Sequence, residues 1–502
     1  MLRLVFPAAV LAGGLAMSQA LFTIIVHASN LKLYAELAAL KSAGYLVVPG
    51  DNVISRLDSV STAFCGAVFF TVTTGAGLTV AGFAAGWLKR RIFPESLSFT
   101  ILAACLWVGA VAACNLKGLN LHVTAVFLLV PLAVYSATLQ WLPENQRGLW
   151  PAKAVHLVVV GAAAAGWLLS LQPEVFLDIR DRMLLSNRAG QYVNDFYYKY
   201  TLYPAEAIKP QSARLINACR TEIRLDRQIS EKVASALVEN DWLPVSNAAV
   251  SLITLKSGPD GELVFREGGK TVFKTDVETF LSWPRKILDS VSQNSDNAGF
   301  LRSFTFVSLI TAFPLGLYIF LHCGLCILLS MVRSVKWRSI SASIICLGVA
   351  GAVLVQFYPQ GGGCPQNNTL KACLESRDPH KQRDALKTAA NRKIPPDTVG
   401  MSPELAASPH VPVRYWLAAS LEHSQIPAAG KILMELTGDP PPNVACMAYS
   451  VMGKTGSSKS ADFIKSRIGK IKHWYVQQYA YNAMRNLGWK QEPPDTEGNL
   501  LR

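Results

Sequence analysis

The sequence predicts an α-helical polytopic membrane protein of about seven transmembrane helices, with a small exported α+β domain and a C-terminal all-α domain of helical repeats. Charged residues make up only 16% of the chain against 51% hydrophobic, well below the roughly 25% charged share of soluble domains. Apolar runs recur through the first third and again after residue 300, and runs of about 20 residues cross a hydrocarbon core of about 30 Å. The C-terminal part carries a period of 31 residues.

The apolar runs place spans near 4–27, 63–88, 97–115, 121–140, 154–172, 304–331 and 339–357. They divide the chain into a five-helix bundle (1–172) with an exported loop at 29–62, an exported domain (173–302), two further spans (303–357) and an exported C-terminal domain (358–502). The first run resembles a secretory signal, with Arg3 before the apolar stretch and Ser18-Gln19-Ala20 as a cleavage-like site. It continues through Leu21 to Val26, which favours an uncleaved anchor. Within the loop, Leu31 to Leu40 is amphipathic and suits the membrane surface or the bundle.

Orientation follows from the short loops, because Lys and Arg are retained in the cytoplasm. Lys89-Arg90-Arg91, Arg147, Lys153, Arg333, Lys336 and Arg338 all fall on one side if the N-terminus is cytoplasmic, whereas the opposite turn 115–120 carries only Lys117. The chain is therefore expected to be multi-pass with the C-terminus extracytoplasmic, and the repeat type and exported cysteine pair described below point to the inner membrane.

In the first exported domain a charged opening, Asp178, Arg180, Asp181 and Arg182, precedes a tyrosine-rich run, Phe196 to Pro204. Tyrosines near a membrane read as an interfacial belt, since the ring is apolar and the hydroxyl stays wet. Asp226 to Asn240 has helical spacing, and strands at 250–255, 262–266 and 271–274 are separated by Gly258-Pro259-Asp260-Gly261 and Gly268-Gly269. Of the four exported cysteines, Cys364 and Cys373 lie nine residues apart and are expected to pair; Cys219 and Cys446 are unassigned.

The period is the most specific signal. Arg383-Asp384-Ala385-Leu386, Arg414-Tyr415-Trp416-Leu417, Ala445-Cys446-Met447-Ala448 and Gln477-Gln478-Tyr479-Ala480 recur at intervals of 31, 31 and 32 residues. Each opens a helical pattern, with small residues six places on at Ala389, Ser420 and Ala483, and with Gly453 and Gly488 read as helix ends. Over 375–490 this pattern resembles the short HEAT-like repeats of bacterial proteins, including those of the phycobilisome-lyase type. The arginine at the second-helix start is present at Arg383 and Arg414 and replaced by Ala445 and Gln477. The resemblance implies helical hairpins stacked into a solenoid that binds a protein partner. Arg383, Arg414, Gln477 and Arg485 are the expected contacts on the inner face, with Trp416, Leu417 and Leu421 in the core.

Residues 358–502 carry 18 Lys and Arg against 12 Asp and Glu, an excess of six that suits an acidic protein or an anionic membrane surface. No Gly-rich phosphate loop or nucleic-acid motif is present. His27, His122, His156 and His322 sit near span ends, where a bis-histidine haem is the redox alternative. His322-Cys323-Gly324-Leu325-Cys326 has the reverse order for covalent haem, and its thiols lie in an apolar helix. Prolines 7, 131 and 314 in spans allow kinks, but no intramembrane carboxylate marks an ion path, which leaves a carrier of neutral or lipidic substrate as the transport alternative. No catalytic signature and no cofactor or metal site is read. The expected function is a membrane scaffold or assembly factor that binds a protein through the C-terminal repeats, with lipid as its other contact.

Overall fold

The computed structural model describes residues 2–142, 150–170, 175–245, 253–258, 261–355, 367–426 and 428–492. Its first helix, α1 (Leu2–Ser42), runs unbroken past the expected span end into the first part of the 29–62 connection, including the amphipathic Leu31 to Leu40, and closes at Gly44, whose φ is +86°. No proline lies in it beyond Pro7 and no glycine beyond Gly14, so nothing ends the helix at the membrane edge. At 1.5 Å per residue it is about 60 Å long, twice a hydrocarbon core. A short α2 (Asp51–Ile54) leads to α3 (Val60–Phe70), a π-helical turn (Thr71–Gly75) and α4 (Ala76–Arg91), which together form one rod. Then come α5 (Leu97–Cys114), α6 (Leu121–Trp141) and α7 (Trp150–Ser170).

In lipid, helices associate by close contact of small residues. Gly82 and Gly86 put the α4 backbone against α6: a Cβ on Gly82 would lie 2.8 Å from the Pro131 carbonyl oxygen, and one on Gly86 2.8 Å from Thr138. At the π turn the side chains restore bonds that the irregular backbone loosens. Thr71 donates to Gln19 Oε1 (2.6 Å), Thr73 to the Phe69 carbonyl (2.7 Å), and the Thr74 and Thr305 hydroxyls lie 2.7 Å apart.

Beyond the bundle, α8 (Val175–Ile179) passes through a second π turn into α9 (Arg188–Tyr200) and α10 (Leu202–Ile208). A five-stranded sheet follows in the order β2-β1-β3-β4-β5: β1 (Asn217–Glu222), β2 (Trp242–Val245), β3 (Ile253–Ser257), β4 (Leu263–Glu267) and β5 (Lys270–Thr275). The last three strands form an antiparallel meander, and β1 runs parallel to both neighbours. Gly268 and Gly269 both take positive φ, which a two-residue hairpin between Glu267 and Lys270 requires. Helix α11 (Arg227–Glu239), capped by Asp226, crosses from β1 to β2. With α12 (Val277–Ser282) and α13 (Pro284–Ser295) it buries Val233, Leu237, Phe280, Leu288 and Val291 against Phe265 and Leu255.

The chain returns through α14 (Gly299–Ile310), α15 (Ala312–Leu328) and α16 (Val335–Val355). Among the described residues, five helices rather than seven are long and apolar enough to cross a membrane: Phe6–Ser42, Val60–Arg91, Leu97–Cys114, Leu121–Trp141 and Gly299–Met331. The expected spans at 154–172 and 339–357 fall on α7 and α16, and both extend beyond the described residues.

The C-terminal part is helical: α17 (Asn367–Leu374), α18 (Pro379–Arg392), two 3-10 turns, α19 (Val411–Ser420), α20 (Ala428–Leu436), α21 (Pro442–Thr455), α22 (Ser458–Ile468) and α23 (Trp474–Asn486). The helices that carry the 31-residue period, α18, α19, α21 and α23, pack on one another in chain order. Ala389, Ser420, Val451 and Ala483 sit at these contacts and are at most 1% exposed. Gly453 does not end its helix: α21 continues to Thr455, and a Cβ there would lie 2.7 Å from Ala483 Cα, so this glycine serves close packing. Gly488, at φ +89°, does follow a helix end. One continuous core joins the bundle, from Phe22 and Val26, to the array through Trp416, Leu417 and Met484.

Candidate functional site in the groove of the C-terminal array

The stacked helices α18, α19, α21 and α23 face the chain's own segment 178–203, which crosses them in their order. Asp178 accepts from Lys387 of α18 (2.9 Å). Next, the Arg180 guanidinium lies 3.7 Å above the Tyr415 ring of α19, and Asp181 accepts from the indole of Trp416 (2.6 Å). Asn194 and Asn443 of α21 exchange amide hydrogen bonds (2.9 and 3.2 Å) in a buried contact. At α23, the Tyr198 ring packs 4.9 Å from Tyr475, Thr201 is 3.1 Å from the Tyr475 hydroxyl, and Tyr203 meets Trp474 edge-on at 5.1 Å.

Asp181 is 2% exposed, and its charge is met by Arg180 within the same turn. A buried carboxylate with both a cation and an indole donor is compensated; without them it would be costly. Burial pushes the phenols of Tyr198 and Tyr475 upward, so both stay protonated, and it pushes the His473 ring down against the opposing pull of Asp195. Tyr198 and Tyr203 of the tyrosine run thus serve a contact between protein layers, while Phe196 and Tyr197 remain exposed. In the sequence the charged cluster at 178–182 shows only as a placement directly after a span, which does not reveal its role.

The four expected partner contacts are engaged inside the chain. Arg383 is buried and pairs with its neighbour Asp384 (2.7 Å). Arg414 forms a fork with Asp439 (2.6 and 3.0 Å) and also donates to the Ser408 carbonyl. Gln477, 1% exposed, accepts from the Gly50 amide (3.0 Å) and donates to the Ile471 carbonyl (2.7 Å). Arg485 pairs with Asp241 (3.0 Å) and donates to the Glu239 carbonyl (2.8 Å). Gln477 and Arg485 thus fix the array to the loop after α1 and to the sheet domain, while Arg383 and Arg414 are held within the array itself. Further ties run from Gln491 to both backbone groups of Leu46 and from Tyr481 to Asp241 (2.7 Å). Nearer the bundle, Arg214 links Glu36 of α1 (3.1 Å) to Glu206 of α10 (3.8 Å).

Cys373 is disulfide-bonded, and Cys364 lies outside the described residues. Cys219 and Cys446 are free and buried; burial pushes the Cys219 thiol up to about 12 and that of Cys446 up as well, so neither supplies a thiolate. Cys323 and Cys326 are free and buried, and His322 lies near the Ser339 carbonyl. Of the haem candidates, His27 keeps a buried Nδ1, His122 is exposed, and the His156 side chain lies outside the described residues. Among the described residues no cluster of three or more His, Cys, Asp and Glu side chains is placed to hold a metal.

The fold therefore defines a helical protein with membrane-spanning character and a small mixed sheet. Comparison with known proteins finds no matching family, no similar curated protein and no similar solved structure.

Proposed function

We propose that the chain is a membrane-anchored scaffold that presents the outward helices of its C-terminal array to a protein partner. The reading is supported by one observation above others: the inner face is bonded along its length to residues 178–203 of the same chain. A surface held in this way is rigid relative to the bilayer, and the first helices of each hairpin, α20 and α22, stay turned to solvent, with Lys431 and Asp462 exposed. On this reading the array is a short HEAT-like solenoid, and the spans at 154–172 and 339–357 bring the count to seven. The N-terminus is then cytoplasmic, the sheet domain and array are exported from the inner membrane, and Cys364 is the partner of Cys373.

The test is affinity capture of the full-length chain in detergent, compared with a Lys431→Glu, Asp462→Arg variant that alters only exposed side chains. A partner bound by the parent and lost by the variant supports the scaffold. A partner retained by that variant, or none above background in either, overturns it.

A further inference from the structure

Helix α9 has two faces. Asn194 and Tyr198 turn toward the array, while Tyr192 (77% exposed), Val193 (58%) and Phe196 (40%) form a stripe on the other side, continued by exposed Lys199. Beside the end of α9, the Tyr198 ring lies 6.5 Å from His473, which closes the turn Gly469-Lys470-Ile471-Lys472-His473. Lys470 and Lys472 are exposed there, as are Lys465 and Arg467 on the last turn of α22. Residues 188–200 and 458–473 together hold seven Lys and Arg against two carboxylates, Asp195 and Asp462, both exposed. Among the described residues none of the lysines at 199, 465, 470 and 472 is held in an ion pair.

This edge is also the one turned to the bundle. The end of α9 and the start of α10 lie on Gly66 of α3, inside the apolar stretch Val60–Arg91: a Cβ there would meet Pro204 and Tyr203 at 3.2 Å. The opposite end of α23 is bonded to the sheet domain through Arg485 and Tyr481. Trp474 and the basic turn before it are therefore the membrane-proximal end of the array.

Aromatic side chains partition into the interfacial zone, and lysines gather anionic headgroups. We propose that the Tyr192, Val193 and Phe196 face of α9 and the Lys470 to Lys472 turn form one peripheral membrane-binding surface, which takes anionic phospholipid headgroups of the adjacent leaflet. Exposed apolar side chains beside unpaired cations would otherwise stand in water; continuity with the spans and the charge excess favour a bilayer over a protein as their cover.

The test uses the full-length chain in nanodiscs of phosphatidylcholine alone or mixed equally with phosphatidylglycerol, with a photo-reactive benzophenone amino acid replacing Tyr192 and, as a control, Lys431. The expected result is lipid adducts at position 192 and not at 431, about fivefold more abundant with phosphatidylglycerol and falling as salt is raised. A Lys470→Gln, Lys472→Gln variant should fall to the neutral-lipid level, and the salt series on the unsubstituted lysines provides the same reading should that variant misfold. Absent lipid adducts, equal yields in both discs, or crosslinks to protein instead would overturn the proposal.

Discussion

The indole of Trp107 on α5 donates to the main-chain carbonyl of Phe127 on α6 at 2.6 Å. That carbonyl is the one left without its helical donor, because four residues on stands Pro131, which has no N–H. The same device recurs where Trp167 of α7 donates to the Ile310 carbonyl at 2.9 Å, four residues before Pro314. Pro131 and Pro314 are thus each matched by a tryptophan on a neighbouring helix, which satisfies in lipid the carbonyl that the proline leaves without a donor.

Trp107→Phe keeps the ring packing and removes the donor, so it should destabilise the protein in detergent by about 1–2 kcal/mol. Pro131→Ala returns a backbone N–H to the Phe127 carbonyl. In the double variant the loss caused by Trp107→Phe should shrink, and thermal unfolding of all four proteins in one detergent measures that coupling. Additive losses would show that the indole bond contributes nothing specific.

Gly82 is held to its identity by the α4–α6 contact, where a Cβ would come within 2.8 Å of the Pro131 backbone. Gly82→Leu should force the helices apart and cost about 3 kcal/mol or more, whereas Gly13→Leu, with nothing within 4 Å of its Cβ, should be near neutral. Detergent-resistant folding followed by size-exclusion after heating distinguishes the two.

The helical membrane character was legible because apolar length is a one-dimensional signal, and so were the β3–β4–β5 meander and the array's period, because glycine turns and spacing are local. Strand β1 was missed since Asn217–Glu222 is polar and its burial does not alternate, and β2 since Pro244 argues against a strand; it is tolerated there because β2 lies at the sheet edge. The continuity of α1 from the first span through the amphipathic stretch Leu31 to Leu40 was not legible, because a membrane span sets an expected length that a helix need not respect. The contact of residues 178–203 with α18, α19, α21 and α23 was not legible for a deeper reason: periodicity identifies a helix face, but what packs on that face is a long-range relation that no local pattern encodes.

The proposed orientation makes a separable prediction. A cysteine at exposed Lys232 on α11 should react with a membrane-impermeant thiol reagent in intact spheroplasts, while one at exposed Ser334 should react only after lysis, each judged against the unsubstituted chain. The reverse pattern would invert the topology.

His473 links the array to pH. It sits at the start of α23 beside Tyr198 and Tyr475, burial lowers its pKa from 6.5, and its Nδ1 is buried without a hydrogen-bond partner. The folded state therefore prefers the neutral ring, while the unfolded chain takes up a proton at the ordinary histidine value. Below that value the unfolded state binds more protons, so this residue's contribution to stability is fully present above pH about 6.5 and is lost as pH falls toward the lowered folded value. Thermal unfolding in detergent between pH 7.5 and 5 should then show a decline that His473→Phe reduces, since phenylalanine keeps the ring packing and cannot be protonated. A His473→Phe protein with the same pH dependence as the parent would assign the decline to other groups and leave the α9–α23 contact without a role in it.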